Sequence, residues 1–306
     1  MRAAVLHTLG EPARHSSHPD PEPRPGESLV RVTAAPLVPL DLLCASGTSY
    51  FGAPAVPYVP GVQGVGRIES SESLDVGTRV WFATSAGMTA GDGSLAELAA
   101  LGLSGVAAWM SLTWRARFQA GERVLVLGGG GAVGQAAIGA ARLLGANQVV
   151  AACRSRESAD RAAAAGADEI VLTSPDPGGL VARLTEACLG HVDVVIDPVF
   201  GETAAAASQV LGEGGRLVNL GASGGDQAAF SSAALRSRSI EILGYTNNAL
   251  TVEQRRTAIN EISRHAALGE LGVAHEVCPL DAVEGAWTRL ASGEAATRLV
   301  LTPEWA

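Results

Sequence analysis

The sequence predicts an α/β protein in which a doubly wound parallel sheet is joined to a mostly β module. Three observations carry this. From about Val106 onward, short apolar runs alternate with Ala-rich stretches, the texture of parallel strands covered by helices on both faces. The first strand of that region ends in four consecutive glycines, Gly128 to Gly131. The first third is instead rich in Pro and Gly, with short β-branched runs between its turns, as short strands separated by turn chemistry require.

In order, the turns "EPARHSSHPDPEPRPGE" and "GAPAVPYVPGVQGVG" flank a strand at Ser28–Ala34, and "DVGTRVWF" supplies another at Thr78–Phe82. Six strands are then expected at Val124–Leu127, Gln148–Ala152, Ile170–Leu172, Val192–Ile196, Arg216–Leu220 and Ile240–Leu243. Helices fit between them at Val133–Leu144, Arg156–Ala165, Leu180–Leu189 and Thr203–Leu211. Thr251 and Gln254 have the spacing of a capping box opening a further helix. The closing stretch returns to strand–helix–strand texture.

The 306 residues are 47% hydrophobic and 17% charged, ample for a large core. A net charge of −9 argues against nucleic acid or an anionic membrane as partner. No signal peptide and no apolar run long enough to cross a bilayer is expected. The four cysteines, Cys44, Cys153, Cys188 and Cys278, form no C-x-x-C pair, which fits reduced thiols in the cytoplasm. The six histidines show no metal spacing and read as surface residues.

Gly129, Gly131 and Gly134 form G-x-G-x-x-G between a predicted strand and a predicted helix. There, missing side chains let backbone approach a pyrophosphate, and the N–H groups of a helix start at Ala132 and Val133 face its charge. Gly130 has no role in that register. At the end of the next strand an NAD site would carry a carboxylate for the ribose hydroxyls. This chain has Cys153, Arg154 and Ser155 instead. An arginine pairs with a 2′-phosphate that a carboxylate would repel, so NADPH is the expected cofactor.

On several segments the chain resembles the medium-chain dehydrogenase/reductases: "VPYVPGVQGVGRI", "VLVLGGGGAVGQAAIGAARLLGA", "GGRLVNLGASGG" and "CPLDAVEGAWTRLASGEAATRLVL". The resemblance implies a GroES-like catalytic domain built from both chain ends beside a Rossmann domain. It places these at 1–105 and 106–246, with a return to the catalytic domain over 247–306. It also implies a segment shortened near 96–102. Where zinc-dependent members carry metal ligands, this chain has Val38, Val62 and Gln63, beside Asp41. Valine has no electron pair for zinc, so no metal is expected.

The resemblance then points to the zinc-independent quinone oxidoreductase and enoyl reductase branch. In that chemistry, negative charge develops on a conjugated oxygen that needs a hydrogen-bond donor. Tyr50 is one candidate and the Gln63 amide another. By position, Pro198, Val199, Gly221, Ala222 and Asn247 reach the nicotinamide half of the cofactor. A small-molecule substrate and a homodimer or higher homo-oligomer are implied. Two other readings stay open: a zinc-free alcohol dehydrogenase or ketone reductase, and a weakly catalytic NADPH-binding sensor, which apolar Val38 and Ala107 would suit.

Overall fold

Turn chemistry divides the N-terminal third into short pieces. The computed structural model describes residues 1–49, 52–83, 87–90, 95–173 and 177–304. It begins with β1 (Arg2–Val5), β2 (Arg14–Ser17), β3 (Leu29–Pro36), α1 (Pro39–Ala45), β4 (Gln63–Ser70), β5 (Arg79–Ala83) and β6 (Gly87–Ala90). Next come α2 (Leu95–Met110), a π-helical turn at Ser111–Arg115, β7 (Arg123–Leu127), α3 (Ala132–Leu143), β8 (Gln148–Cys153) and α4 (Arg156–Ala164). The middle continues with β9 (Glu169–Leu172), α5 (Leu180–Ala187), β10 (Val192–Asp197), α6 (Gly201–Gln209), β11 (Leu211–Asn219), α7 (Ser232–Arg238) and β12 (Glu241–Gly244). The chain closes with α8 (Val252–Ala267), β13 (His275–Pro279), α9 (Val283–Ala291) and β14 (Arg298–Thr302).

Two units result. One comprises Met1–Gly102, Arg255–Ala267 and Ala274–Ala306; the other comprises Leu103–Gln254 and Leu268–Val273. The first holds a six-stranded sheet in the order β13-β14-β3-β4-β5-β6. β13 and β14 run parallel, while β14 pairs antiparallel with β3, Val300 lying opposite Pro36. Both chain ends therefore build one sheet, as the GroES-like resemblance implies. Its core gathers Leu6, Leu37, Val283, Trp287, Leu299 and Leu301.

The second unit is an all-parallel sheet in the order β12-β11-β10-β7-β8-β9. The order in which strands are added reverses between β7 and β10, which creates the crevice where such sheets bind ligands. Val124 to Leu127 and Val194 to Ile196 are fully buried, so these central strands read as unbroken apolar runs rather than alternating ones. β11 starts five residues before the predicted Arg216, because the segment "LGEGG" ahead of it looks like a turn yet joins the strand across a register shift. Arg216 fastens this unit: its guanidinium donates to both Glu122 carboxylate oxygens at 2.9 and 2.8 Å and to the Ala116 carbonyl at 2.9 Å.

The predicted capping box is present. Thr251 N–H donates to Gln254 Oε1 at 2.9 Å, and Gln254 N–H donates to Thr251 Oγ1 at 3.1 Å. The expectation about bilayer-length segments needs correction. Residues 96–115 form one helical stretch of mean hydropathy 1.3, long and apolar enough to span, and 72% of it is buried inside the protein. Its hydropathy reflects that burial, the pattern of a core helix. The stretch is not straight: Gly102 has φ 32° and ψ −128°, which breaks α2 where the first unit ends.

Candidate functional site

The glycine turn follows directly from β7. Gly128 has φ +62°, a left-handed conformation that suits glycine, and its carbonyl accepts the Gly131 N–H at 2.9 Å. Gly129 and Gly134 have a steric reason. A Cβ on Gly129 would lie 2.7 Å from Ala151 Cβ, and one on Gly134 would lie 2.7 Å from Gly129 Cα. Gly131 is exposed and would meet only the Gly128 carbonyl, at 3.3 Å. As N-cap of the twelve-residue α3 it supplies no side-chain cap for the first-turn N–H groups. A cradle of bare backbone at a helix N-terminus fits a pyrophosphate.

Gly130, which has no role in the sequence motif, is explained by α4. A Cβ there would lie 2.5 Å from both Cα and Cβ of Ser158. Its carbonyl accepts two side-chain bonds at 2.9 Å, from Gln135 Nε2 and Arg161 Nε. Sequence reasoning found neither residue; a glutamine and an arginine on two helix faces carry no motif signal.

At the end of β8 the predicted residues separate. Cys153 is 1% exposed and its thiol donates to the Ser158 carbonyl; burial pushes the thiol pKa up. Ser155 caps α4, accepting the Ser158 N–H at 3.3 Å. Arg154 and Arg156 are both exposed, and neither engages another described residue. A cation at Arg154 therefore stands open beside the glycine loop.

The loops after β10 and β11 are tied together by one carboxylate and one amide. Asp197 is fully buried, and its Oδ1 accepts the N–H groups of Val199 and Phe200 at 2.9 and 2.7 Å. Asn219 Nδ2 donates to Asp197 Oδ2 at 3.3 Å and to the Gly221 carbonyl at 2.7 Å. Burial pushes the Asp197 pKa up, against these N–H bonds. Phe200 sits at φ 60°, ψ −155°, a region used almost only by glycine and costing on the order of 1–3 kcal/mol. The two Asp197 bonds and the edge-on Phe230 ring, 6.1 Å away, hold it there.

Pro198, Val199, Gly221 and Ala222 thus belong to one packed patch: a Cβ on Gly221 would touch the Pro198 carbonyl at 2.7 Å, and one on Gly128 would touch Val199 Cγ2 at 2.9 Å. Asn247 accepts the Tyr245 hydroxyl at 2.7 Å and donates to the Leu103 carbonyl at 3.3 Å. Both ends of its amide are engaged with protein, an anchoring role for the loop after β12.

In the first unit, Tyr50 lies outside the described residues. Gln63 is 4% exposed at the start of β4, with its carboxamide packed on the Cα of Gly102. Val38 is the N-cap of α1, and its N–H donates to Asp41 Oδ2 at 2.8 Å. Zinc does not fit this set: Val38 and Val62 offer no lone pair, and among the described residues no three His, Cys, Asp or Glu side chains converge.

Asp41 is 2% exposed, and its Oδ1 has no hydrogen-bond partner among the described residues. Burial pushes its carboxyl up from 3.8 to about 6, while backbone bonds from Val38 and Val62 and the charge of Arg298 pull the other way. The folded chain holds this proton more tightly than the unfolded chain does. Its contribution to stability is therefore present below the unfolded pKa of 3.8 and lost as pH rises to about 6. Between those limits Asp41→Asn is expected to lose less stability than the native chain, by on the order of 2–3 kcal/mol, read from urea midpoints at each pH.

Comparison with known proteins adds to this geometry. A family model described as alcohol dehydrogenase GroES-like domain matches residues 24–145, and one described as zinc-binding dehydrogenase matches residues 132–264. Quinone oxidoreductase of Rattus norvegicus is 31% identical over 246 residues, 73% of this chain and 74% of that protein. A phenolphthiocerol/phthiocerol polyketide synthase polypeptide of Mycobacterium tuberculosis is 29% identical across 98% of this chain, which spans only 15% of that protein. Among solved structures, the quinone oxidoreductase of Thermus thermophilus, also solved in complex with NADPH, superposes with TM-score 0.77 at 29% identity, covering 99% of this chain and 100% of that one. A mycobacterial quinone oxidoreductase shares the fold with TM-score 0.89 at 24% identity, covering 99% and 100%.

Proposed function

The chain belongs to the medium-chain dehydrogenase/reductase superfamily, in its quinone oxidoreductase-like branch, and is an oxidoreductase; from that premise we propose that it uses NADPH, without zinc, to reduce a quinone or an α,β-unsaturated carbonyl. The observation that carries the cofactor choice is Arg154, exposed and free of described partners at the end of β8, where an NAD site needs a carboxylate. The NADPH complex of the Thermus relative supports the same choice.

The bound nicotinamide would supply the hydride. The protein's part is to hold and orient. The glycine turn and the start of α3 receive the pyrophosphate, and Arg154 pairs with the 2′-phosphate. The Asp197–Asn219 pair fixes the loops that carry Pro198, Val199, Gly221 and Ala222. Charge developing on the substrate's conjugated oxygen needs a donor, for which Tyr50 and the Gln63 amide are the proposed candidates. Val38 and Val62 stand where zinc-dependent members place ligands, so the acid is a side chain or water rather than a metal.

The test is NADPH consumption over a panel of quinones, enones and ketones, run with and without a metal chelator. Turnover of quinones or enones that survives chelation is expected. Turnover confined to ketones, or lost with the chelator, would replace this reading by an alcohol dehydrogenase type.

A further inference from the structure

Asp197 is a fully buried carboxyl group where a neutral side chain would serve the backbone equally well. An asparagine or serine oxygen accepts turn N–H groups as a carboxylate does. Yet the chain keeps a carboxylate that is 0% exposed, has no cation in ion-pair contact among the described residues, and meets only N–H donors from Val199, Phe200 and Asn219. In its ionised form a carboxylate so placed is unscreened by water and acts over a longer range than a surface one. Its position is also particular. It ends β10, the strand beside β7 at the reversal of the sheet, and the Val199 side chain next to it packs against Gly128 of the glycine turn.

We propose that the Asp197 carboxylate biases this site toward the oxidised form of the dinucleotide, and so makes the reduced form a better hydride donor. The proposal rests on the dinucleotide reading above. Hydride leaves with two electrons and goes to the quinone or enone; the neutral dihydronicotinamide ring becomes a pyridinium cation. The acceptor's conjugated oxygen takes the matching negative charge and then a proton. On the dinucleotide reading, the loop that Asp197 anchors reaches the nicotinamide half of the cofactor, and a fixed anion at its root would favour the cationic ring over the neutral one, as an opposite charge favours the ionised form of any neighbour. The bonds from Val199, Phe200 and Asn219 hold the anion still, so it needs no reorganisation when the ring charges.

The experiment is equilibrium binding of NADP+ and NADPH to the native chain, Asp197→Asn and Asp197→Glu, with circular dichroism confirming the fold. Asp197→Asn keeps the oxygen that caps the turn and removes the charge. It is expected to weaken NADP+ about five- to tenfold more than NADPH, while Asp197→Glu keeps the native ratio. Asp197→Ser, which retains an acceptor oxygen, is the neutral substitute if the asparagine variant does not fold, and the same shift is expected of it. Equal weakening of both forms in the neutral variants would make Asp197 a turn cap alone and overturn the proposal. If the native chain binds neither form, the dinucleotide reading falls and this inference falls with it. Native binding with an unchanged ratio sinks the inference alone.

Discussion

In Arg154→Ala the dissociation constant for NADPH rises roughly ten- to a hundredfold, while that for NADH stays within about twofold. The effect is confined to one phosphate because Arg154 touches no other described residue; removing it breaks nothing in the fold. Its neighbours cannot replace it equally. Arg161 is committed through Nε to the Gly130 carbonyl, and Arg156 projects from the first turn of α4. Since the site is exposed, the difference between the two cofactors shrinks as salt is added. Fluorescence titration of both reduced cofactors at two ionic strengths reads all of this at once.

Gly130→Ala is the second large effect, and it acts through shape. The added methyl group meets the Cα and Cβ of Ser158 at 2.5 Å, and a helix backbone cannot swing aside as a side chain can. Overpacking of this kind costs about 1–3 kcal/mol. It also pushes the Gly130 carbonyl off Gln135 and Arg161, which hold the loop. Thermal midpoint and NADPH affinity are both expected to fall. Gly131→Ala is the control: its methyl group meets only the Gly128 carbonyl, at 3.3 Å, and the variant is expected to melt within a few degrees of the native chain. Equal damage from both substitutions would contradict the steric account of the turn.

Sequence patterns announced the parallel sheet because its strands are short apolar runs buried on both faces, and the helices between them are rich in alanine. Thr251 and Gln254 declared a helix start because a capping box is local. What escaped was non-local. Gly130 looked idle because its contact comes from α4, and Asp197 looked like an ordinary strand end because its amide partner, Asn219, comes from the end of β11. Residues 96–115 are apolar as a core helix is, a distinction that only burial makes. The expectation of no zinc rests on residue type alone, since valine cannot ligate wherever the fold puts it, and the chelator experiment tests it.

The central claim is that this protein selects NADPH through an open arginine beside a bare-backbone glycine turn. Side-by-side titration of the native chain with NADPH and NADH tests it most directly. The account predicts that NADPH binds at least about tenfold more tightly, with the preference abolished in Arg154→Ala. Equal affinity for the two, or a preference for NADH, would contradict it.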